Sequence, residues 1–167
     1  MLLAAAAAAE HPGRYLESRR AKAPIVYLAT VSEVRQIAPP DAPGSAPRME
    51  ATLKVGRIFR PAPLASPAPA DAVVRYEQAD TATGVFYRLA AGDRVLVFAG
   101  SFDKAFPIEM ITGPPRAVST QVSALRAFLL DMDEMTSSLH SVTPAIRAQQ
   151  IALYDRILAD LGSPRTP

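Results

Sequence analysis

The chain has 167 residues, 49% of them hydrophobic and 20% charged, which suits one domain with a real core and excludes a disordered tail. Its 18 Lys and Arg stand against 16 Asp and Glu, and a formal net charge of +2 is too weak a field to indicate nucleic acid by itself. Cysteine is absent, so a disulfide framework, a thiolate nucleophile and a cysteine zinc site are excluded.

Residues 1–13, MLLAAAAAAEHPG, open on a Leu/Ala run that ends in small residues before Glu10. It resembles the tail of a secretory signal without the charged start, and the alternative reading is an Ala-rich flexible extension. The run is too short to span a bilayer. Residues 14–167 are expected to form one domain. Arg14–Ala23 predicts a short helix closed by Pro24. Ile25–Val34 is β-branched and apolar and predicts a strand, with a bulge or bend where Val31 and Val34 break the period of two. Ala38–Pro47 is Pro-rich and predicts a loop.

Glu50–Arg60 predicts a second strand, with a bulge at Gly56, where the apolar alternation slips by one residue. After a second Pro-rich loop, Pro61–Asp71, the runs Ala72–Glu77 and Val85–Leu89 predict strands joined by a polar turn. The tight turn AAGD leads into RVLVFAG, residues 94–100. Phe106–Ile111 predicts an edge strand, where Pro107 is tolerated. From Thr120 to about Met135 the apolar period becomes helical, and Thr143-Pro144 is an N-cap and N1 signature. It starts a second helix with Ile146, Leu153, Tyr154, Ile157, Leu158 and Leu161 on one stripe, stopped by Gly162.

The run Val95-Leu96-Val97-Phe98 is apolar on both faces, so both faces need a cover. Closing the sheet would cover one face, and the C-terminal helices the other. The expected fold is mainly β with α: a small antiparallel OB-like barrel of five to six strands. A short N-terminal helix precedes it, and two C-terminal helices, about residues 118–162, pack on it.

The stretches APIVYLATVSEV, ATLKVGRIFR and VFYRLAAGDRVLVFAG, in that order, resemble the netrin-like domain family, which includes the tissue inhibitors of metalloproteinases. The likeness spans roughly Arg14 to Ser101 and implies a cysteine-free, bacterial-type member with an OB-like barrel and C-terminal helices. In the inhibitor branch an N-terminal cysteine binds the protease zinc. This chain has no cysteine, so that mechanism does not carry over.

No residue pattern carries catalysis. His11 and His140 lack a second histidine at ligand spacing, and no nucleophile-elbow motif supports Ser138 or Ser141. The Asp131–Met135 carboxylates read as a solvated helix face, and nothing pairs Glu50, Glu77, Asp93 or Asp103 for glycoside hydrolysis. No cofactor and no metal site is expected. The candidate binding face consists of Lys54, Arg57, Arg60, Arg75, Tyr76, Tyr87 and Arg88, basic and aromatic residues close in register on the predicted strands. OB folds stack bases on such aromatics in a basic groove, but these aromatics read first as structural. The expected function is a non-enzymatic binding module, exported to the periplasm or the cell exterior (cytoplasmic as the alternative). It would recognise a protein or an envelope component through its barrel loops, with no transmembrane segment. The alternatives are an oligonucleotide- or glycan-binding OB protein and a hydrolase with an unrecognised site.

Overall fold

The computed structural model describes residues 17–42, 45–60, 68–80 and 85–162. The possible leader, His11 and the start of the predicted N-terminal helix therefore lie outside the described residues. The elements are α1 (Glu17–Lys22), β1 (Ile25–Ala38), β2 (Arg48–Arg60), β3 (Asp71–Glu77), β4 (Ala79–Asp80), β5 (Val85–Phe86), β6 (Arg94–Ala99), β7 (Glu109–Gly113), α2 (Pro115–Asp131), α3 (Glu134–Leu139) and α4 (Pro144–Gly162). No helix among the described residues is long and apolar enough to cross a membrane.

Five strands form one antiparallel sheet in the order β3-β2-β1-β6-β7. The bulges expected from broken periodicity are present. Gly56 has no partner between the pairs Ala29–Val55 and Leu28–Arg57, and a second slip falls between Val31 and Glu33. An extra residue bends its strand and deepens the twist, so β1 and β2 coil.

Coiling lets the sheet cover one of its own faces. Ala72, Val74 and Tyr76 of one edge strand share a buried cluster with Val95, Val97 and Met110 from the other side of the sheet, and with Ile25, Tyr27, Ala51 and Leu53 between them. On the opposite face Leu28, Leu96, Phe98 and Ile111 pack against Val118, Val122 and Leu129 of α2 and Leu153, Tyr154 and Ile157 of α4. The four large apolar residues of β6 are all 0% exposed: Leu96 and Phe98 point to the helices, Val95 and Val97 to the inside of the coil. Tyr27, packed 5.1 Å from the Phe102 ring, has its hydroxyl pushed up to about 12 by burial.

The sheet is not closed. β3 and β7 are its two free edges, joined by a backbone bond from Arg75 N–H to Ala105 O (2.7 Å), in the segment between β6 and β7.

Three other expectations need correction. Val85–Leu89 is not a full strand. Val85–Phe86 pairs only with Ala79–Asp80, in a separate two-stranded ladder, while Tyr87 and Leu89 pack against the inner cluster. The last strand starts at Glu109, not Phe106; Ile108 N–H donates to Phe98 O (2.8 Å), so Ile108 and Glu109 both lie opposite Phe98 and the regular ladder begins at that irregularity. The C-terminal region has three helices rather than two. α2 starts at Pro115 with proline at its N-terminus and ends at Asp131. Asp133 then caps α3 by accepting from Thr136 N–H (2.7 Å). Arg147 of α4 ties the break by donating to Leu130 O (2.5 Å) and Met132 O (2.8 Å). Met135, expected on the apolar stripe, is consequently 70% exposed. The Thr143 cap is as expected, its hydroxyl accepting from Ile146 N–H (3.2 Å).

Candidate functional site

Hydrogen-bond alternation tells which backbone groups the two free edges offer. Val55 N–H donates to Ala70 O (2.9 Å) at the end of the β2–β3 ladder. In an antiparallel pair the direction alternates, so Ala72, Val74 and Tyr76 bond to β2, while Val73, Arg75 and Glu77 face outward. The same parity, set by Val31 N–H to Asp93 O (2.9 Å) and carried across β6, turns Met110 and Thr112 outward from β7. The Gln121 side-chain amide donates to Thr112 O (3.0 Å), consistent with that direction.

Four antiparallel steps separate β3 from β7, so the edges run parallel. A parallel ladder begun by Arg75 N–H to Ala105 O would place its next bond from residue 107 to Arg75 O. Residue 107 is proline and has no N–H. The seam therefore lacks that bond, and a cleft of about 340 Å³ lies beside it.

Tyr76 and Tyr87 form an aromatic wall of this cleft, edge to face at 6.1 Å between centroids. Burial pushes the Tyr76 hydroxyl up to about 12. Phe106, 67% exposed, also lines the cleft, as do Arg19, Arg75, Glu77 and Glu109. Among the described residues no hydrogen bond or ion pair joins Arg19. Arg75 belongs to a cross-strand row in which Glu50 lies directly between Arg35 and Arg75. Its Nε donates to Glu50 Oε2 (2.8 Å), and the Arg35 Nε donates to Oε1 (2.9 Å). These bonds, Arg75's first, hold the Glu50 carboxyl below its ordinary range.

Glu109 connects the cleft to a buried polar network. It is 4% exposed; Oε1 accepts from Arg20, and Oε2 has no partner among the described residues. Arg20 also donates to Glu17 Oε1 (2.5 Å). Glu17 in turn accepts from the Tyr154 hydroxyl (2.7 and 2.9 Å) and from Gln150 (3.1 Å). Gln150 accepts from Arg60 Nη2 (2.8 Å). Burial and then the Glu17 charge push the Glu109 carboxyl up to about 7, against the opposing pull of Arg20.

The predicted binding face is divided by the fold. Arg75, Tyr76 and Tyr87 meet at the cleft. Tyr76 is buried there and Tyr87 half-buried, so both are wall before they are platform. Arg60 is a strut: its Nη1 donates to Arg20 O, Ala21 O and Ala23 O (3.1, 3.1 and 2.7 Å) at the end of α1. Arg57 lies 3.9 Å from Asp160 of α4, and Lys54 and Arg88 are exposed away from the cleft lining. Of the other residues considered, Asp133 is a helix cap and Asp93 closes the AAGD turn by accepting from Ala90 N–H (2.8 Å). His140 packs edge-on against Phe128 at 6.0 Å. Among the described residues no group of three or more acidic or histidine side chains could hold a metal ion.

Sequence reasoning missed Arg19, Phe106 and Glu109. A signal existed for the last: a lone carboxylate inside the apolar run FPIEMI. A comparison with models of known protein families gives no match, and neither does one with curated protein sequences.

Proposed function

We propose that this chain is a non-enzymatic binding module whose ligand site is the cleft at the β3–β7 seam, and that the ligand is another protein or an envelope component. The observation that carries the reading is the cleft itself, where an exposed Phe106, an aromatic wall and two arginines converge beside a buried carboxyl with a spare oxygen. Such a mixture of apolar surface and a few directed polar groups is the usual make-up of a ligand site. The strand order is a three-strand meander whose first strand pairs with a later hairpin, which supports an OB-like barrel parted along one seam. The likeness to the netrin-like family rests on the sequence stretches alone.

The test is site-specific photocrosslinking in the producing cell, with the crosslinker at Phe106 or, as control, at the exposed Glu33. A discrete adduct with another macromolecule is expected at position 106 only. Equal labelling at both positions, or none, would overturn the reading. Export, read from residues 1–9, predicts recovery outside the cytoplasm of a chain lacking those residues, checked by mass spectrometry of the intact protein from each compartment.

A further inference from the structure

We propose that the seam is a peptide-docking site, in which an extended segment of a partner protein, with an acidic residue next to an apolar one, adds to the free edge of β3. This deepens the binding-module reading and rests on it. Three observations on different atoms point to the same occupant.

The first is backbone chemistry. Arg75 N–H is bonded to Ala105 O, but Pro107 cannot supply the following donor to Arg75 O. By parity Glu77 also directs its N–H and C=O into the seam. An unpaired strand edge of this kind is met by an extended chain, which brings one donor and one acceptor for every second residue. A nucleic acid brings phosphates and base faces instead.

The second is the side-chain slot. Successive side chains of an added strand point to opposite faces. One would enter the cleft between the Tyr76–Tyr87 wall and Phe106, where aromatic or aliphatic surface is covered best.

The third is charge. Arg75 is already paired with Glu50, and Arg20 with Glu17 and Glu109. Arg19, exposed at the cleft, has no ion pair among the described residues and is the cation there that an incoming carboxylate can meet. An acidic residue on the peptide therefore complements Arg19.

The experiment begins with the full chain immobilised against a phage library of random dodecapeptides. Enriched peptides are synthesised with a fluorophore, and each is also made with N-methyl groups at alternate backbone nitrogens. The expected result is enrichment of acidic–apolar neighbours. Affinity should fall at least tenfold for one of the two N-methyl registers, and at least tenfold for Arg19→Glu and for Phe106→Ala. Both substituted residues are exposed, so thermal melting should be unchanged. Amide chemical-shift changes should map to residues 73–77 and 106–112. No enrichment, or equal affinity for both N-methyl registers and the parent, would overturn strand addition. Shifts confined to residues 39–47 would overturn it while leaving the binding-module reading intact. Peptide cleavage detected by mass spectrometry would remove that reading as well. Tighter binding of a labelled oligo-dT at the same cleft, with steep salt dependence, would replace the peptide with single-stranded nucleic acid.

Discussion

Glu109→Gln should remove a pH dependence of stability that the wild-type chain shows between about pH 4.5 and 7. In the fold Glu109 is nearly fully enclosed and shares the Arg20 charge with Glu17, so burial and the second carboxylate raise its pKa from 4.5 to about 7. Between those values the folded chain keeps the proton and the unfolded chain releases it. The group's contribution is thus complete below about 4.5, is lost as pH rises to about 7, and is constant above that. At about 1.4 kcal/mol per pH unit the loss is on the order of 3 kcal/mol, or about 6–12 °C in melting temperature for a chain of this size. Glu50 and Asp133 are shifted the opposite way, so their effects fall in more acidic solution and do not overlap this window. Glutamine keeps the shape and the acceptor for Arg20 but cannot ionise. The assay is urea unfolding of both proteins at pH 4.5, 5.5, 6.5 and 7.5. Wild type should weaken along this series, and the variant should lack that component and match or exceed wild type at pH 7.5. The same slope in both proteins, or a wild type that gains stability from pH 5 to 7, would refute the reasoning.

The two faces of β6 give a paired test. Leu96→Ala should cost about 2–5 kcal/mol and loosen α2 and α4 preferentially, whereas Val97→Ala should cost about 2 kcal/mol and loosen β1 and β3; amide hydrogen exchange separates the two patterns. Gly113 ends β7 at φ 141, and an added Cβ would meet the Ala117 Cβ at 3.2 Å, so Gly113→Ala should lower stability by roughly 1–3 kcal/mol in thermal melts. Arg147→Ala frees Leu130 O and Met132 O and should cost about 1–2 kcal/mol, with exchange protection falling first at residues 129–139; unchanged protection there would show that Arg147 does not hold the break.

The long strands and their bulges were legible because burial and period agree over many residues. Gly56 marks its bulge twice, as a glycine and as the point where Leu53 and Val55 lose phase with Ile58. The double-apolar β6 demanded two covers, and it has two. Short-range chemistry hid the rest. Val85–Leu89 reads as a strand because Tyr87 and Leu89 are apolar, yet those side chains are used to plug the end of the inner core. The α2–α3 break was masked because Met132 and Met135 continue the helical period, while Asp133, read as a solvated carboxylate, acts as a cap.

The site was legible only in pieces, because its defining feature is an interaction that is missing at one residue. Arg75, Tyr76 and Tyr87 were visible as a basic and aromatic group near one edge. What gathers them is the position of β3 at one end of the sheet order and of Pro107 just before the strand at the other. A parallel seam is slightly weaker per residue than an antiparallel one, so one absent donor matters more there than in β1–β2 or β1–β6. Glu109 lines the cleft at the start of β7, bound to Arg20 on one oxygen, with the other buried and unpartnered among the described residues. The proline in the predicted edge strand, tolerated there on sequence grounds, is thus the residue that withholds a donor from Arg75 O, which has no backbone partner among the described residues.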